Sequence, residues 1–138
     1  MDKAKFDLWF AEATNDFEMG SILFNAHKYN GAVFYYIQAA EKAVKSLLYL
    51  LNLQPWGHSI LNLLNEYEKR GRVIPVELKQ NAKDFERHYT RSRYPDASPL
   101  KAPKDIYTEK AVQKIRDNSK SFLEFVKNEM EAQIQSEL

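Results

Sequence analysis

The chain has no cysteine, only four glycines, and no long apolar run. Without cysteine there is no disulfide framework, no thiolate metal site and no cysteine nucleophile. No apolar run reaches the ~18 residues that a membrane span needs. The first seven residues, Met1 to Asp7, lack the apolar segment of a signal peptide. We therefore expect a cytoplasmic protein that does not enter a membrane.

Sequence motifs of several common enzyme classes are also missing. Neither a phosphate-cradling glycine loop nor the Gly-x-Ser-x-Gly turn of hydrolases occurs. A carboxylate-bridged metal site in a helical bundle needs Glu-x-x-His pairs. Each of the three histidines instead follows a non-acidic residue three positions earlier: Phe24, Pro55 and Phe85 precede His27, His58 and His88. The sequence therefore predicts no metal and no cofactor.

The length and composition of the chain are typical of a single globular domain. The 138 residues are 44% hydrophobic and 28% charged, which fits a single domain spanning residues 1–138 with a sizeable core. The formal net charge is only +1, so no global attraction to nucleic acid or anionic membranes is expected. The segment from Arg87 to Lys104, however, carries five basic residues and one acid.

Apolar residues recur at helical spacing along the first third of the chain. One stripe runs from Phe6 to Phe24 and a second from Val33 to Leu51, in steps of three and four. Asn30-Gly31 has strong turn character, so we place the connection between the two helices there. Two long helices with a short connection predict an antiparallel hairpin. Pro55 and Gly57 are expected to close the second helix.

The remaining two thirds predict three more helices. Ser59 is a candidate N-cap for a third helix that ends at Gly71, Pro75 fits the first turn of a fourth, and Thr108 opens the last. Three prolines (Pro95, Pro99 and Pro103) make regular structure unfavourable between Tyr94 and Asp105. No segment alternates with the period of a strand. The predicted fold is all-α, an antiparallel up-and-down helical bundle of four to five helices.

The most informative segment is Tyr89-Thr-Arg-Ser-Arg-Tyr-Pro-Asp96, at the end of the fourth helix. Pro95 forces the chain out of the helix, so Tyr94 leaves it and Arg91 and Arg93 lie on or just before the last turn. Cations favour a helix C-terminus. The alternation of arginine and tyrosine goes beyond that role, and it is suited to binding a phosphate or a stacked base.

Polar residues elsewhere admit both structural and functional interpretations. Gln38, Glu41, Lys42 and Lys45 share one strip of the second helix, where Glu41 and Lys45 can form an i, i+4 ion pair. The alternative is a polar groove shared with the Arg93 segment. Glu12 and Asp16 are interpreted as a solvated or dimer-facing acidic pair. His58, at a helix start, is either a structural residue or an acid–base group.

Several of these features together resemble the HEPN family, small all-α domains named for higher eukaryotes, prokaryotes and nucleotide binding. The run Gln38-Ala-Ala-Glu-Lys-Ala43 resembles the most recognisable helix of HEPN domains, and Arg93-Tyr-Pro-Asp96 resembles the motif at the end of their fourth helix. His58 before Leu61 and Leu64, and a first helix with Trp9, Ala13, Asp16 and Phe17, also agree. The resemblance spans roughly residues 5 to 130.

The resemblance implies a homodimer and a partner, a minimal nucleotidyltransferase encoded beside the HEPN protein. Many such pairs are toxin–antitoxin systems in which the HEPN member is a ribonuclease. Those ribonucleases carry an arginine followed, after four to six residues, by a histidine. No arginine stands at that distance before His27, His58 or His88. This departure weighs against RNA cleavage.

Three hypotheses follow. The first is a non-enzymatic module that binds a nucleotide, RNA or a protein partner; its candidate residues are Arg91, Arg93, Tyr94, Asp96, Lys42 and His58. The second is a metal-independent ribonuclease toxin with His58 or His88 as base and Arg87, Arg91 or Arg93 stabilising the phosphorane. The third is a structural dimer without a ligand. We expect Arg91 and Arg93 to line one cleft beside the second helix; the alternative is that Arg93 binds Asp96 or Glu41 and holds the loop.

Overall fold

The computed structural model describes residues 1–97 and 100–138, and this part of the chain is all-α with no strand. Five α-helices follow one another: α1 (Lys3–Asn25), α2 (Tyr29–Leu50), α3 (Ile60–Glu68), α4 (Val76–Arg91) and α5 (Glu109–Ser136). The predicted all-α fold is therefore confirmed. No helix in the described ranges is long and apolar enough to cross a bilayer.

The core is built around α2. This helix packs along α1 and α5 and also touches α3 and α4, so most of its side chains are buried. Gly20 permits the close packing of α1 on α2, because a Cβ there would lie 2.9 Å from the Tyr36 ring. Tyr36 is fully buried, and its hydroxyl lies 2.9 Å from Ser21 Oγ. On the other side, Ser119 of α5 donates a hydrogen bond to the Tyr36 carbonyl oxygen.

The hairpin of α1 and α2 is present, but its turn lies earlier than Asn30-Gly31. The turn spans residues 26–28, where His27 has φ of 60° and the Lys28 and His27 N–H groups donate to the Leu23 and Phe24 carbonyls. This is a Schellman motif with histidine at its left-handed position. The predicted position was wrong, because the hydrogen bonds at residues 26–28 already close the turn; Asn30 lies in the first turn of α2, where its side chain donates to the Ser92 carbonyl oxygen.

The end of α2 repeats the same motif. Asn52 has φ of 63°, and the N–H groups of Leu53 and Asn52 donate to the Leu48 and Tyr49 carbonyls. Local hydrogen bonds at Asn52 therefore end the helix. Pro55 and Gly57, which were expected to close it, lie beyond this point.

The other predicted helix boundaries hold with small changes. The Ser59 and Thr108 side chains accept hydrogen bonds from the Asn62 and Ala111 N–H groups, so both N-caps are confirmed. Pro75 precedes the first turn of α4 as its N-cap residue. In the proline-rich segment, regular structure is limited to two single turns of 3-10 helix, Pro95–Ala97 and Pro103–Asp105. Pro99 lies outside the described residues.

Candidate functional site

The end of α4 sets the geometry of the candidate site. Arg91 is the last helical residue and the buried Ser92 caps the helix. The N–H groups of Arg93 and Tyr94 both donate to the Thr90 carbonyl, after which Pro95 begins a 3-10 turn. The helix therefore ends at Ser92, and Tyr94 lies outside it before the proline, as expected.

Arg93 lies among three aromatic rings. Its guanidinium carbon is 4.4 Å from the ring centroid of Tyr89, 4.8 Å from that of Phe34 and 5.0 Å from that of Tyr94. Its Nε donates to the Tyr89 carbonyl oxygen at 3.1 Å. These are cation–π contacts of the kind that arginine makes more often than lysine.

No carboxylate in the described part of the chain pairs with Arg93, and neither Asp96 nor Glu41 does so. The alternative in which one of these acids holds the loop through Arg93 is therefore wrong. Asp96 is exposed on the 3-10 turn, and Tyr94 is 51% exposed. The guanidinium is thus positioned by rings and one backbone carbonyl, and its terminal N–H groups form no hydrogen bond within the described residues.

The Tyr89 ring, which contacts Arg93, also contacts His58. The imidazole stacks on the Tyr89 ring with centroids 5.1 Å apart, and its Nδ1 lies 3.2 Å from one Glu41 carboxylate oxygen. Lys45 Nζ lies 3.2 Å from the other Glu41 oxygen. The i, i+4 pair of Glu41 and Lys45 is therefore present, but the Glu41 side chain is only 4% exposed rather than solvated. We call Phe34, His58, Tyr89, Arg93 and Tyr94 the Arg93 face.

Lys42 lies away from the Arg93 face and pairs with α1. Its Nζ is 2.7 Å from Asp16 Oδ2 and 4.0 Å from Glu12 Oε1. Asp16 is buried, and this burial raises the pKa of its carboxyl despite the nearby Lys42 ammonium. The interpretation of Glu12 and Asp16 as a solvated or dimer-facing pair was wrong for Asp16, because packing of α1 on α2 encloses it.

Arg91 points to a different place from Arg93. It lines a pocket between α4 and α5, together with Arg87, His88, Tyr107, Lys114 and Asn118, which we call the α4–α5 pocket. Two arginines that are two positions apart at a helix end project from different sides of it. The single cleft expected for both arginines is therefore divided into two sites.

The α4–α5 pocket holds an uncharged histidine. His88 Nδ1 lies 2.8 Å from the Tyr107 hydroxyl. Burial, followed by the charges of Arg87 and Arg91, lowers the pKa of His88 below its usual value. Burial raises the pKa of Tyr107 to about 12. At neutral pH both rings are neutral and the pocket's charge comes from its basic side chains.

No group of three or more histidine, aspartate or glutamate side chains suited to a metal ion occurs within residues 1–97 and 100–138. The chemistry that both sites offer is therefore that of cations, imidazoles and aromatic rings.

Family comparison agrees with the helical fold and with its extent along the chain. The HEPN domain model matches residues 6–129, nearly the whole chain. The chain belongs to the HEPN family.

Solved structures of HEPN proteins and their relatives are similar throughout this domain. TT1696 from Thermus thermophilus is 31% identical over 90% of this chain and 97% of its own, with a TM-score of 0.85. ST0689, an archaeal HEPN homologue, is 32% identical over 91% and 97%, with a TM-score of 0.76. A HEPN domain protein from Thermotoga maritima is 27% identical over 89% and 97%, with a TM-score of 0.71. No curated protein matches the chain.

Sequence reasoning missed three residues in or beside these two sites. Phe34 looked like one more apolar residue of α2, yet it contacts Arg93. Asn30, assigned to a turn, ties the start of α2 to Ser92. Tyr107 pairs with His88 across the proline-rich segment, and no spacing rule links the two. The dense aromatic content, eight Phe and eight Tyr, was the one available signal for such ring contacts.

Proposed function

We propose that this HEPN protein is a nucleotide-binding module whose ligand occupies the Arg93 face. The observation that supports this most directly is a guanidinium held by three rings and lacking a carboxylate partner in the described residues. A side chain fixed in this way loses little freedom when it binds an anion. Its fork of N–H donors matches two oxygens of a phosphate.

The surroundings of Arg93 fit the other parts of a nucleotide. Tyr94 is half exposed and offers a ring on which a base can stack. His58 presents its second ring nitrogen from a side chain that is 62% exposed, while Glu41 holds the first. Asp96, the last residue of the Arg93-Tyr-Pro-Asp96 motif, is exposed and can accept a hydrogen bond. Phosphate, base and hydroxyl groups could each find a partner here.

A protein partner is the second part of this proposal. The HEPN resemblance implies a homodimer and a minimal nucleotidyltransferase in a toxin–antitoxin-like pair. Apolar side chains exposed on the single chain are compatible with such contacts, among them Leu8, Ile22 and Trp56. Co-purification with a nucleotidyltransferase encoded by a neighbouring gene tests this; two proteins that elute separately after co-expression contradict it.

Titration with adenosine and guanosine mono- and triphosphates tests the ligand. We expect saturable binding by the wild type and at least a tenfold loss of affinity in Arg93→Ala, because a charge-assisted contact is removed. Arg70→Ala is the matched control, since Arg70 is an exposed arginine outside the Arg93 face and the α4–α5 pocket. Equal weakening by both substitutions would show non-specific charge attraction instead.

RNA cleavage is a second candidate, favoured by the contact between Glu41 and His58. A carboxylate that orients an imidazole is the arrangement of a general base. His58 would take the proton of a ribose 2′-hydroxyl, whose oxygen attacks phosphorus and displaces the 5′-oxygen, which takes a proton from water. Arg93 would stabilise the phosphorane charge.

Labelled RNA in the presence of a chelator separates the two candidates. Cleavage to 2′,3′-cyclic phosphate ends that disappears in both His58→Ala and Arg93→Ala favours the ribonuclease. Binding without cleavage favours the nucleotide-binding module.

A further inference from the structure

We propose that the α4–α5 pocket is a second anion site, separate from the Arg93 face, which takes the phosphate group of a small molecule. The pocket is bounded by Arg87, His88 and Arg91 on α4 and by Lys114 and Asn118 on α5. It shares no lining residue with the Arg93 face, so this inference goes beyond the proposed function and does not depend on it.

The lining of the pocket has more basic than acidic side chains. Arg87 pairs with Asp84 at 3.2 Å, and Asp84 is the one acid in the lining. Arg91 and Lys114 form no ion pair with the residues that the structure describes. Two cations are therefore left without a counter-charge at one concave site, which favours a bound anion.

A second and independent indication of a ligand is the Nε of Arg91, which is buried and has no hydrogen-bond partner among the described residues. A buried donor without a partner costs about 1–3 kcal/mol. An oxyanion that draws the Arg91 guanidinium toward the pocket would provide this donor with an acceptor.

The neutral groups of the pocket suit an oxyanion as well. The Asn118 amide can donate, and His88 and Tyr107 are joined at 2.8 Å. The groups around His88 are Asp84, Arg87 and Arg91 on its own helix, Tyr107 on the preceding segment and Lys114 on α5. Most of them are cations or neutral donors, so an anion would favour the protonated imidazole.

The size of the pocket limits the ligand. Its volume is about 260 Å³. Sites for drug-sized ligands have ~300–1,000 Å³. A phosphate group with a small part of its carrier fits this space better than a whole nucleotide.

Titration of the full-length protein with inorganic phosphate and with sulfate, followed by NMR of the His88 ring, tests the proposal. We expect saturable shifts of the His88 signals in the wild type. Arg91→Gln and Lys114→Gln should each weaken phosphate binding about tenfold, and Arg70→Gln should leave it unchanged. Lys114 is exposed, so its substitution keeps the test valid if Arg91→Gln fails to fold.

Sulfate adds a pH readout, because it keeps its charge both at neutral pH and at the lower pH at which His88, whose pKa is lowered by burial, takes up a proton. We expect sulfate to bind several-fold more tightly at the lower pH, since protonated His88 adds a cation. Three results would overturn the proposal: no saturation of the His88 shifts, equal effects of Arg91→Gln and Arg70→Gln, or pH-independent sulfate affinity. Saturation by a short oligonucleotide but not by phosphate would also overturn it, by assigning the pocket to an RNA backbone. The Arg93 titration above is unaffected by any of these results.

Discussion

The imidazole of His58 lies nearly parallel to the ring of Tyr89, with the centroids 5.1 Å apart and the planes at 25°. The same tyrosine ring lies 4.4 Å from the guanidinium carbon of Arg93. One aromatic side chain of α4 therefore positions both polar groups of the Arg93 face. Tyr89 thereby connects His58, which precedes α3, with Arg93, which follows α4.

This relationship gives the first prediction. Tyr89→Leu should destabilise the fold by about 1–2 kcal/mol and weaken nucleotide binding, because the ring contacts with His58 and Arg93 are lost. Tyr89→Phe keeps the ring and should change both quantities little. Chemical denaturation and nucleotide titration measure the two effects; equal losses in Tyr89→Phe and Tyr89→Leu would contradict the role of the ring.

Arg93→Ala should cost the fold little. Because no carboxylate pairs with Arg93 in the described chain, its removal leaves no buried charge behind. We expect a loss of about 1–2 kcal/mol from the cation–π contacts and the hydrogen bond to Tyr89. The loss for a broken buried ion pair would be ~3–5 kcal/mol. A thermal melt that shows the larger loss would mean that Arg93 is chiefly architectural.

Glu41→Ala should be more damaging. It removes the carboxylate that holds Lys45 and His58, and the Lys45 side chain is only 12% exposed. We expect a loss of ~3–5 kcal/mol, because an uncompensated charge stays largely buried. Glu66→Ala is the matched control: its i, i+3 pair with Lys69 is exposed and should contribute less than about 1 kcal/mol. Similar denaturation midpoints for the two variants would refute this difference.

Glu129 provides a prediction about pH. It accepts hydrogen bonds from Arg72 Nε and from the Tyr67 hydroxyl, and the contact with Arg72 is the main cause that lowers the pKa of Glu129 below 4.5. A carboxyl whose pKa is lower in the folded state stabilises the fold above its unfolded pKa, and this contribution is lost as the pH falls.

Glu129→Gln should therefore lower the unfolding free energy by about 1–3 kcal/mol at pH 7, and this difference should shrink as the pH falls below 4.5. Urea titrations of both proteins at several pH values measure it. A difference that stays constant down to about pH 3 would show that packing, not charge, accounts for the effect of Glu129→Gln.

The chain should be a dimer in solution. The HEPN resemblance implies it, and several large apolar side chains are exposed on the single chain, including Trp56 at 89%. Light scattering at micromolar concentration should give about twice the chain mass of 16.2 kDa. The monomer mass under these conditions would refute the prediction.

The candidate site was only partly predictable. Arg93 and Tyr94 were identified from the alternation of charge and aromatic character before Pro95, because a forced helix end exposes such side chains. Lys42 was grouped with them because it shares a strip with Glu41. It lies instead against Asp16, since helix periodicity specifies which residues share a face but not which neighbouring helix covers it.

The helices could be predicted from the chain alone because their signals are local. Apolar spacing predicted each helix, and the Ser59 and Thr108 caps were readable from residues within one turn. Helix packing, by contrast, determined which neighbours Arg91 and Arg93 meet and which acids are buried. Those outcomes depend on contacts between residues such as Asn30 and Ser92 that are far apart in the chain. Such contacts follow from the shape of the whole core, which no local pattern encodes.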